Sequence, residues 1–389
     1  LKEEFKLKKQ KNSSQKLKNF ASVLSVSWMV FMIFHVIFTG KIPLWNFFGN
    51  IPTFLMVIIP IAFLLAEIVL RRRKQKIALL IVPVISLALG ITQFDVNVYA
   101  FVKRDVPVVA RKEIKVFNWN TECWDQHKDK DEFYAFMKRH DADVYILQEH
   151  LHGTINWDDP KSDKSNQDID KSKLFRICTA VPGFPLHYLA IDDSERIKEE
   201  FPDYYFTINK QFVVISRYPI TKSHLDVSDQ YAITDIDVEG MKLRLFNVHM
   251  LLHVEPGNPF VPYFYEALDR RFEARELAFN NLMNDIEKTD VPYVISGDFN
   301  TTKALGVMSP LLREHIDAVQ YSKDLIPLTF EYLGLKAWRF DYVLLPKAYK
   351  DMQVVCFENI DQEGLSDHDA QYFVIGIENN RSVQLADSE

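Results

Sequence analysis

Cysteine is scarce: Cys123, Cys178 and Cys356 are the only three in 389 residues. They are too few and too scattered for a disulfide framework. None is spaced C-x-x-C, so no zinc knuckle is expected. Inert thiols of this kind leave the redox compartment unmarked. No internal repeat of roughly 20–50 residues is visible, which excludes a solenoid or a propeller. Acidic residues are nearly missing from the first part. Residues 1–103 hold 14 basic side chains against Glu3, Glu4, Glu67 and Asp95, a balance of about +10. The rest is the reverse, with 32 basic and 49 acidic residues, about −17. A cleaved signal peptide would have one short apolar core and a small-residue cleavage site, and the three long apolar runs found here do not fit that pattern.

What the basic part does contain is apolar sequence. Three runs span about 20–40, 51–70 and 77–94. The first two reach the roughly 20 residues that a helix needs to cross a bilayer, and the third is near that length. Pro52, Pro60 and Pro83 are tolerable in membrane helices. The reading is an integral membrane anchor over 1–103 made of three transmembrane helices, followed by a catalytic domain over 104–389. His35 and Glu67 interrupt the runs, and Glu67 lies one turn from Arg71, so it can snorkel outward. The lysine-rich start and the Arg71–Lys76 cluster mark cytoplasmic ends. Three crossings then make the catalytic domain extracytoplasmic.

From Ile114 onward the pattern is that of a folded α/β domain. Apolar strands are predicted at Ile114–Trp119, Val144–Leu147, Gln211–Ser216, Lys242–Val248, Pro292–Ser296, Phe340–Leu345 and Gln371–Ile375. Helices are predicted at Asp131–His140 and Arg270–Ile286. Polar residues recur where strands end: Asn120, Glu149, His249, Asp298 with Asn300, Asp341, and the Asp367–His368 pair. Strand ends are where a sheet scaffold presents reactive groups to one rim.

These residue types narrow the chemistry. Asn120, Glu149, Asp298, Asn300 and Asp367 offer hard oxygen donors, which suit Mg²⁺ or Mn²⁺ and not zinc. His249 and His368 read as proton-transfer or charge-stabilising groups, with Asp341 able to orient one of them. The set suits attack of water on a phosphate ester. Other residues invite simpler readings. His150, His152 and His253 read as packing or surface groups. Cys123 lacks a basic activator. Arg271 and Arg275 read as structural ion-pairing residues.

The blocks KVFNWNTE, VYILQEH, VVISRYPI, LFNVHM, VISGDFN, RFDYVLL and LSDHDA occur in this order over about residues 112–378. In them the chain resembles the endonuclease/exonuclease/phosphatase family, whose members include pancreatic-type deoxyribonucleases, abasic-site exonucleases, neutral sphingomyelinases and inositol-phosphate phosphatases. The resemblance implies an α+β, four-layer α/β/β/α sandwich: two packed mixed β-sheets flanked by helices. It also implies site roles. Asn120 and Glu149 look like metal ligands, with Asp367 supporting the metal or the water. Asp298 would position the attacking water, and Asn300 would hold a phosphate oxygen. His368 would be the catalytic histidine, oriented by Asp341, and His249 the second one.

Family and fold do not choose the substrate. A domain near −17 repels a long polyanion, whereas duplex-binding nucleases usually present basic patches. The stretch 254–265, with Phe260, Tyr263, Phe264 and Tyr265, follows a predicted site strand and suits a ligand wall or a membrane interface. Residues 156–173 read as a solvated insertion. The leading expectation is hydrolysis of a small or membrane-associated phosphodiester such as a phospholipid headgroup. An extracytoplasmic nuclease acting on DNA or RNA is the second, and an inactive tethered binding module the third. No obligate protein partner is evident.

Overall fold

Strand β1, Lys112–Asn120, shows in one element how the fold is built. Its alternate residues Ile114, Val116, Asn118 and Asn120 face one way, and Phe117 and Trp119 the other. The computed structural model describes residues 2–70, 76–102, 112–122, 130–156, 174–175, 186–190, 192–254, 258–349 and 351–377. Ile114 and Val116 join Val144, Ile146 and Val214 in a buried apolar cluster with Leu243, Leu245, Val294, Val343 and Leu345. Phe117 and Trp119 join a second cluster with Phe133, Phe136 and Met137 of the helix Lys130–Arg139. One strand therefore serves two apolar layers. Each large side chain so buried contributes about 1.5–3 kcal/mol.

The strands form two six-stranded sheets. The first contains β1, β2 (Val144–Gln148), β3 (Tyr205–Asn209), β4 (Phe212–Ser216), and two late strands, Met352–Ile360 and Ala370–Ile377. The second contains Ile220–Leu225, Tyr231–Val238, Met241–His249, Tyr293–Asp298, His315–Asp317 and Asp341–Pro346. Both sheets are mixed. β1 runs parallel to β2 and antiparallel to Ala370–Ile377. Met241–His249 runs parallel to Tyr293–Asp298, which is antiparallel to Asp341–Pro346. Lys130–Arg139 covers the first sheet. The long helix Pro262–Glu287 lies against the second, where the Tyr231 hydroxyl donates to Asp285 at 2.7 Å. Two packed mixed sheets flanked by helices is the arrangement expected. The helix expected from Arg270 begins earlier, at Pro262, because Pro at the first helical position is pre-organised for helix. Part of the aromatic stretch 254–265 is therefore helix; Phe264 is buried and Phe260 exposed, while 255–257 lie outside the described residues.

The N-terminal region corrects the expectation of three transmembrane helices. Among the described residues one helix segment, Gln15–Phe38, is long and apolar enough to cross a membrane, with 24 residues and mean hydropathy 2.1. The second apolar run is broken. Pro43–Asn50 and Leu55–Val69 meet at a 72° bend, on either side of Pro52, which has no N–H to continue a helix. Leu55–Leu70 alone has 16 residues, about 24 Å at 1.5 Å per residue, short of a core of about 30 Å. The third run holds a shorter apolar helix, Leu80–Gln93. Arg71–Gln75 lie outside the described residues, so the second cytoplasmic marker has no structural support.

The chain divides into two compact units. One comprises the helical region through Val96 together with Thr302–Met308; the other begins at Asn97 and holds the remainder. Within the helical unit, Trp45 Nε1–H donates to His35 Nδ1 at 3.2 Å. That leaves His35 Nε2 to carry the proton donated to the Ala304 carbonyl at 3.0 Å. Thr39 Oγ1 donates to the same carbonyl at 3.0 Å. Ser22 Oγ donates to Glu67 at 3.1 Å. The two polar residues that interrupt the apolar runs are thus tied within this unit.

Candidate active site

The inward faces of the strands change character along their length. Beyond the apolar cluster comes a layer of amides. Gln148 Nε2 donates to Asn118 Oδ1 at 3.0 Å and to Asn247 Oδ1 at 2.6 Å. Asn118 Nδ2 donates to Gln371 Oε1 at 3.2 Å, and Gln371 Nε2 to the Asp341 carbonyl at 3.1 Å. Asn247 Nδ2 donates to the Leu147 carbonyl at 3.0 Å. All four amides are fully buried, and the network ties the two sheets together. Two residues further on, in the same inward register, stand Asn120 and His249. Asp298 is paired across from both His249 and Asp341.

Asp298 Oδ2 is the point of convergence. It accepts from Asn120 Nδ2 and Asn300 Nδ2, each at 3.0 Å. It lies 3.8 Å from His249 Nε2 and 3.6 Å from His368 Nε2. His368 Nδ1 meets Asp341 Oδ2 at 2.8 Å, so Nδ1 carries the proton and Nε2 faces the site. His249 Nδ1 donates to Gln211 Oε1 at 2.5 Å, and its Nε2 lies 3.2 Å from Glu149 Oε1. The two imidazoles are oriented alike, one by a carboxylate and one by a neutral amide. Asp367 Oδ1 stands 3.8 Å from His368 Nε2 at the more open edge. Glu149 and Asn300 both have positive φ, 54° and 47°, a conformation uncommon outside glycine and found where a site imposes it. Gly297, at φ 136°, precedes Asp298 where an added Cβ would lie 2.0 Å from the Val248 carbonyl; only glycine allows the strand carrying His249 to approach so closely.

All eight residues expected at the site, Asn120, Glu149, His249, Asp298, Asn300, Asp341, Asp367 and His368, lie at this one end of the sheets. Two groups offer atoms close enough to share a cation: Glu149, His249 and Asp298, and Asp298, Asp341 and His368. Asp367 is in neither, and Asn120 meets the carboxylates through its amide nitrogen. Burial shifts the charges. It would raise Glu149, but the hydrogen bond and charge of His249, with His368 and Asn120, bring that carboxyl down to about 2. Burial and the charge of Asp341 push Asp298 up to about 6 against the two histidines. Burial, with Glu122, Glu149 and Asp298 nearby, pushes Asp367 up to about 7. Burial would lower His368, and the charges of Asp341, Asp298 and Asp367 hold it well above the usual range instead.

Several supporting residues carry no motif. Gln211 begins no recognisable block, and only the fold brings it to His249. His253 meets the Asn300 carbonyl through Nδ1 at 3.0 Å. Arg275 donates to the carbonyls of Leu251 and Phe299, and Arg271 to that of Leu252 at 2.8 Å. The two arginines therefore hold the loops that follow His249 and Asp298, a structural role as expected, exercised here on backbone carbonyls. Phe330 packs on the His368 ring at 4.8 Å between centroids. Cys123, Cys178 and residues 157–173 lie outside the described residues; Cys356 is a free, exposed thiol.

The sequence profile of the Endonuclease/Exonuclease/phosphatase family matches residues 117–368, and the chain belongs to that family. Its members are metal-dependent hydrolases of phosphoester bonds, and this protein is an enzyme of that class. Similar solved structures include a family protein from Bacteroides vulgatus, at 16% identity and TM-score 0.46 over 69% of this chain and 100% of that one. A 3′ phosphatase, NExo, from Neisseria, bound to product DNA hairpin, has 14% identity and TM-score 0.42 over 68% and 100%. A humanized D. rerio TDP2 has 14% and 0.41 over 68% and 98%. Among curated proteins, none matches the chain.

Outside the cluster, burial pushes His150 and His253 down to about 3. Each folds neutral, and its unfolded counterpart binds a proton below about pH 6.5. Stability from these groups is therefore present above that pH and is lost as pH falls toward about 3. The free energy of unfolding of His150→Gln relative to the parent should rise by up to about 1.4 kcal/mol per pH unit between pH 6 and pH 4. Denaturant titrations of both proteins across that range measure it. A pH-independent difference would show that His150 is not held neutral.

Proposed function

We propose that the protein is a Mg²⁺-dependent phosphodiesterase, with Mn²⁺ as an effective substitute, acting on a small or membrane-associated phosphoester such as a phospholipid headgroup. The observation that carries the hydrolytic reading is the convergence of two oriented imidazole Nε2 atoms on one buried carboxylate oxygen, at 3.6 and 3.8 Å. The donor set fits a hard cation. Glu149 is kept ionised, and Asp298 and Asp367 are raised by burial first and by neighbouring carboxylates second, a cost that a divalent ion would offset. Glu149 and Asn120 would hold that ion, with Asp367 supporting it or its water from the more open edge; the ion would supply neutralisation of the phosphoryl oxygens.

The remaining steps belong to the chain's own side chains. Asp298 orients the attacking water and accepts its proton, as a carboxylate raised toward neutral pH is suited to do. Asn300 holds a non-bridging phosphate oxygen through its amide, fixed by a backbone N–H bond to Asp298 Oδ1 at 2.7 Å. His368, kept cationic by Asp341, faces the developing negative charge. As water's oxygen bonds to phosphorus and the bond to the leaving oxygen breaks, His249 binds the phosphate or gives the Nε2 proton to that leaving oxygen, with Gln211 fixing its tautomer. The acidic balance of the chain beyond residue 103 favours a small or lipid phosphoester over a long nucleic acid, for which neighbouring charges would be repulsive. A nuclease is the second reading.

Full-length protein in detergent, offered phospholipid vesicles, sugar phosphates, plasmid DNA and RNA with Mg²⁺, should release product from the lipid or small phosphoester. Glu149→Ala should lower turnover by about 10²–10⁴-fold, in the range of catalytic-group deletions. Excess chelator should stop it. Preferential cleavage of DNA or RNA would establish the nuclease, and full activity in chelator would remove the metal role.

We also place the catalytic unit outside the cytoplasm. Gln15–Phe38 serves as the crossing, and the lysine-rich segment before it stays inside. An alkaline phosphatase fused after Glu389 should be active, and a fluorescent protein that folds only in the cytoplasm should be dark. The reverse pattern would put the catalytic unit in the cytoplasm.

A further inference from the structure

The segment that follows the apolar helices is not a free linker. Asn97 is buried and uses every polar atom of its side chain. Its Nδ2 donates to the carbonyls of Val319 at 2.8 Å and Ser322 at 3.0 Å, and its Oδ1 accepts from Tyr99 N at 3.2 Å. Its backbone N–H donates to the Leu325 carbonyl at 2.9 Å. These bonds fix the turn Val98–Phe101 beside Leu325 and Ile326 within the catalytic unit. Yet the turn points its large side chains outward. Phe101 is 79% exposed and Val98 60%, and Val102, Leu325 and Ile326 are also exposed. A buried polar rivet that holds apolar groups in water opposes the usual direction of folding. Clustered exposed apolar groups mark a surface that something covers.

Two observations say what covers this one. The turn begins five residues after the helix ending at Gln93, a reach of at most about 18 Å. That helix and its neighbours expose apolar side chains, Ile81, Val84 and Ile91 among them. Apolar exposure thus pauses where Asp95 and Asn97 are buried and resumes at Val98. The patch also adjoins the site along the chain. Three residues after Ile326, Thr329 Oγ1 accepts from the backbone N–H groups of Phe340 and Asp341, at 3.1 and 3.2 Å. Phe330 packs on His368, and the hairpin that it opens carries Leu333 at 88% exposure.

We propose that the turn 98–102 and the adjoining residues 325–326 form a docking patch that seats in the lipid interface. The end of the sheets bearing Asp341 and His368 is then presented to the headgroup layer. Tyr99 suits the level where an aromatic ring has one apolar and one wet side. The inference rests on the reading of Gln15–Phe38 as a membrane crossing and adds where the catalytic unit lies on the bilayer. It makes the preferred phosphoester one attached to, or held at, the membrane surface.

Spin labels in the full-length protein, reconstituted in phosphatidylcholine/phosphatidylglycerol vesicles, test the proposal. With the three native cysteines replaced by serine, single labels are placed through Phe101→Cys, Ile326→Cys, Lys242→Cys and Val30→Cys. Lys242 is exposed at the end of its strand far from His249, and Val30 lies within the proposed crossing. Collision with oxygen over that with a water-soluble nickel chelate should be raised at least severalfold at 101 and 326 relative to 242, and highest at 30. A lipid-exposed label at 30 with aqueous labels at 101 and 326 overturns the docking patch and leaves the crossing intact. Lipid contact at 101 alone contradicts a patch that includes 325–326. Aqueous labels at all four positions overturn both.

Discussion

Asp298 carries one negative charge at a position with no access to solvent, and the surrounding residues are arranged to meet that charge. Two side-chain amides donate to a single oxygen, two imidazoles face it, and the buried guanidinium of Arg275 adds a favourable charge nearby. A buried carboxylate is costly unless paired and hydrogen-bonded. Each neighbour must therefore be held in place, and each is. Asp341 holds His368, Gln211 holds His249, and Met250 offers its carbonyl to the Asn300 amide at 2.9 Å. The cluster is organised before any substrate arrives, which is the condition for electrostatic catalysis without reorganisation.

The amide layer beneath makes this possible. An apolar core alone would let one sheet shift on the other, because apolar contacts are non-directional. Asn118, Gln148, Asn247 and Gln371 link the two sheets by directed bonds without bringing further charge below Asp298. A neutral network avoids the several kcal/mol that a buried ion costs, while a broken bond in it leaves a buried group unsatisfied at about 1–3 kcal/mol. Sheet register and site geometry are thus one property: moving either sheet by a residue would turn Asn120 or His249 to the outer face.

Much of this was legible from residue order. The apolar runs that end in Asn120, Glu149, His249 and Asp298 are strands, and the polar ends do converge. The supports were not legible. Gln148 and Asn247 look like ordinary strand residues until the second sheet stands opposite them, and Gln211 reaches His249 from 38 positions away. Arg271 and Arg275 sit on a well-marked helix, but the backbone carbonyls to which they donate are announced by no side-chain pattern. The apolar N-terminus misled for a related reason. Hydropathy counts residues and does not register direction, so the bend around Pro52 is invisible to it. The anchoring of the turn 97–102 was not legible either, because the value of Asn97 depends on carbonyls some 220 residues on.

The central claim is that the buried carboxylates and imidazoles act as one unit. A double-mutant cycle on turnover measures this directly, with Asp341→Asn, His368→Gln and the pair compared in full-length protein. Residues that act through each other give severe single losses and a double variant little worse than either. That is the result this account predicts, with the parent fold retained in all three. Fully multiplicative losses would show Asp341 and His368 acting independently and would contradict it.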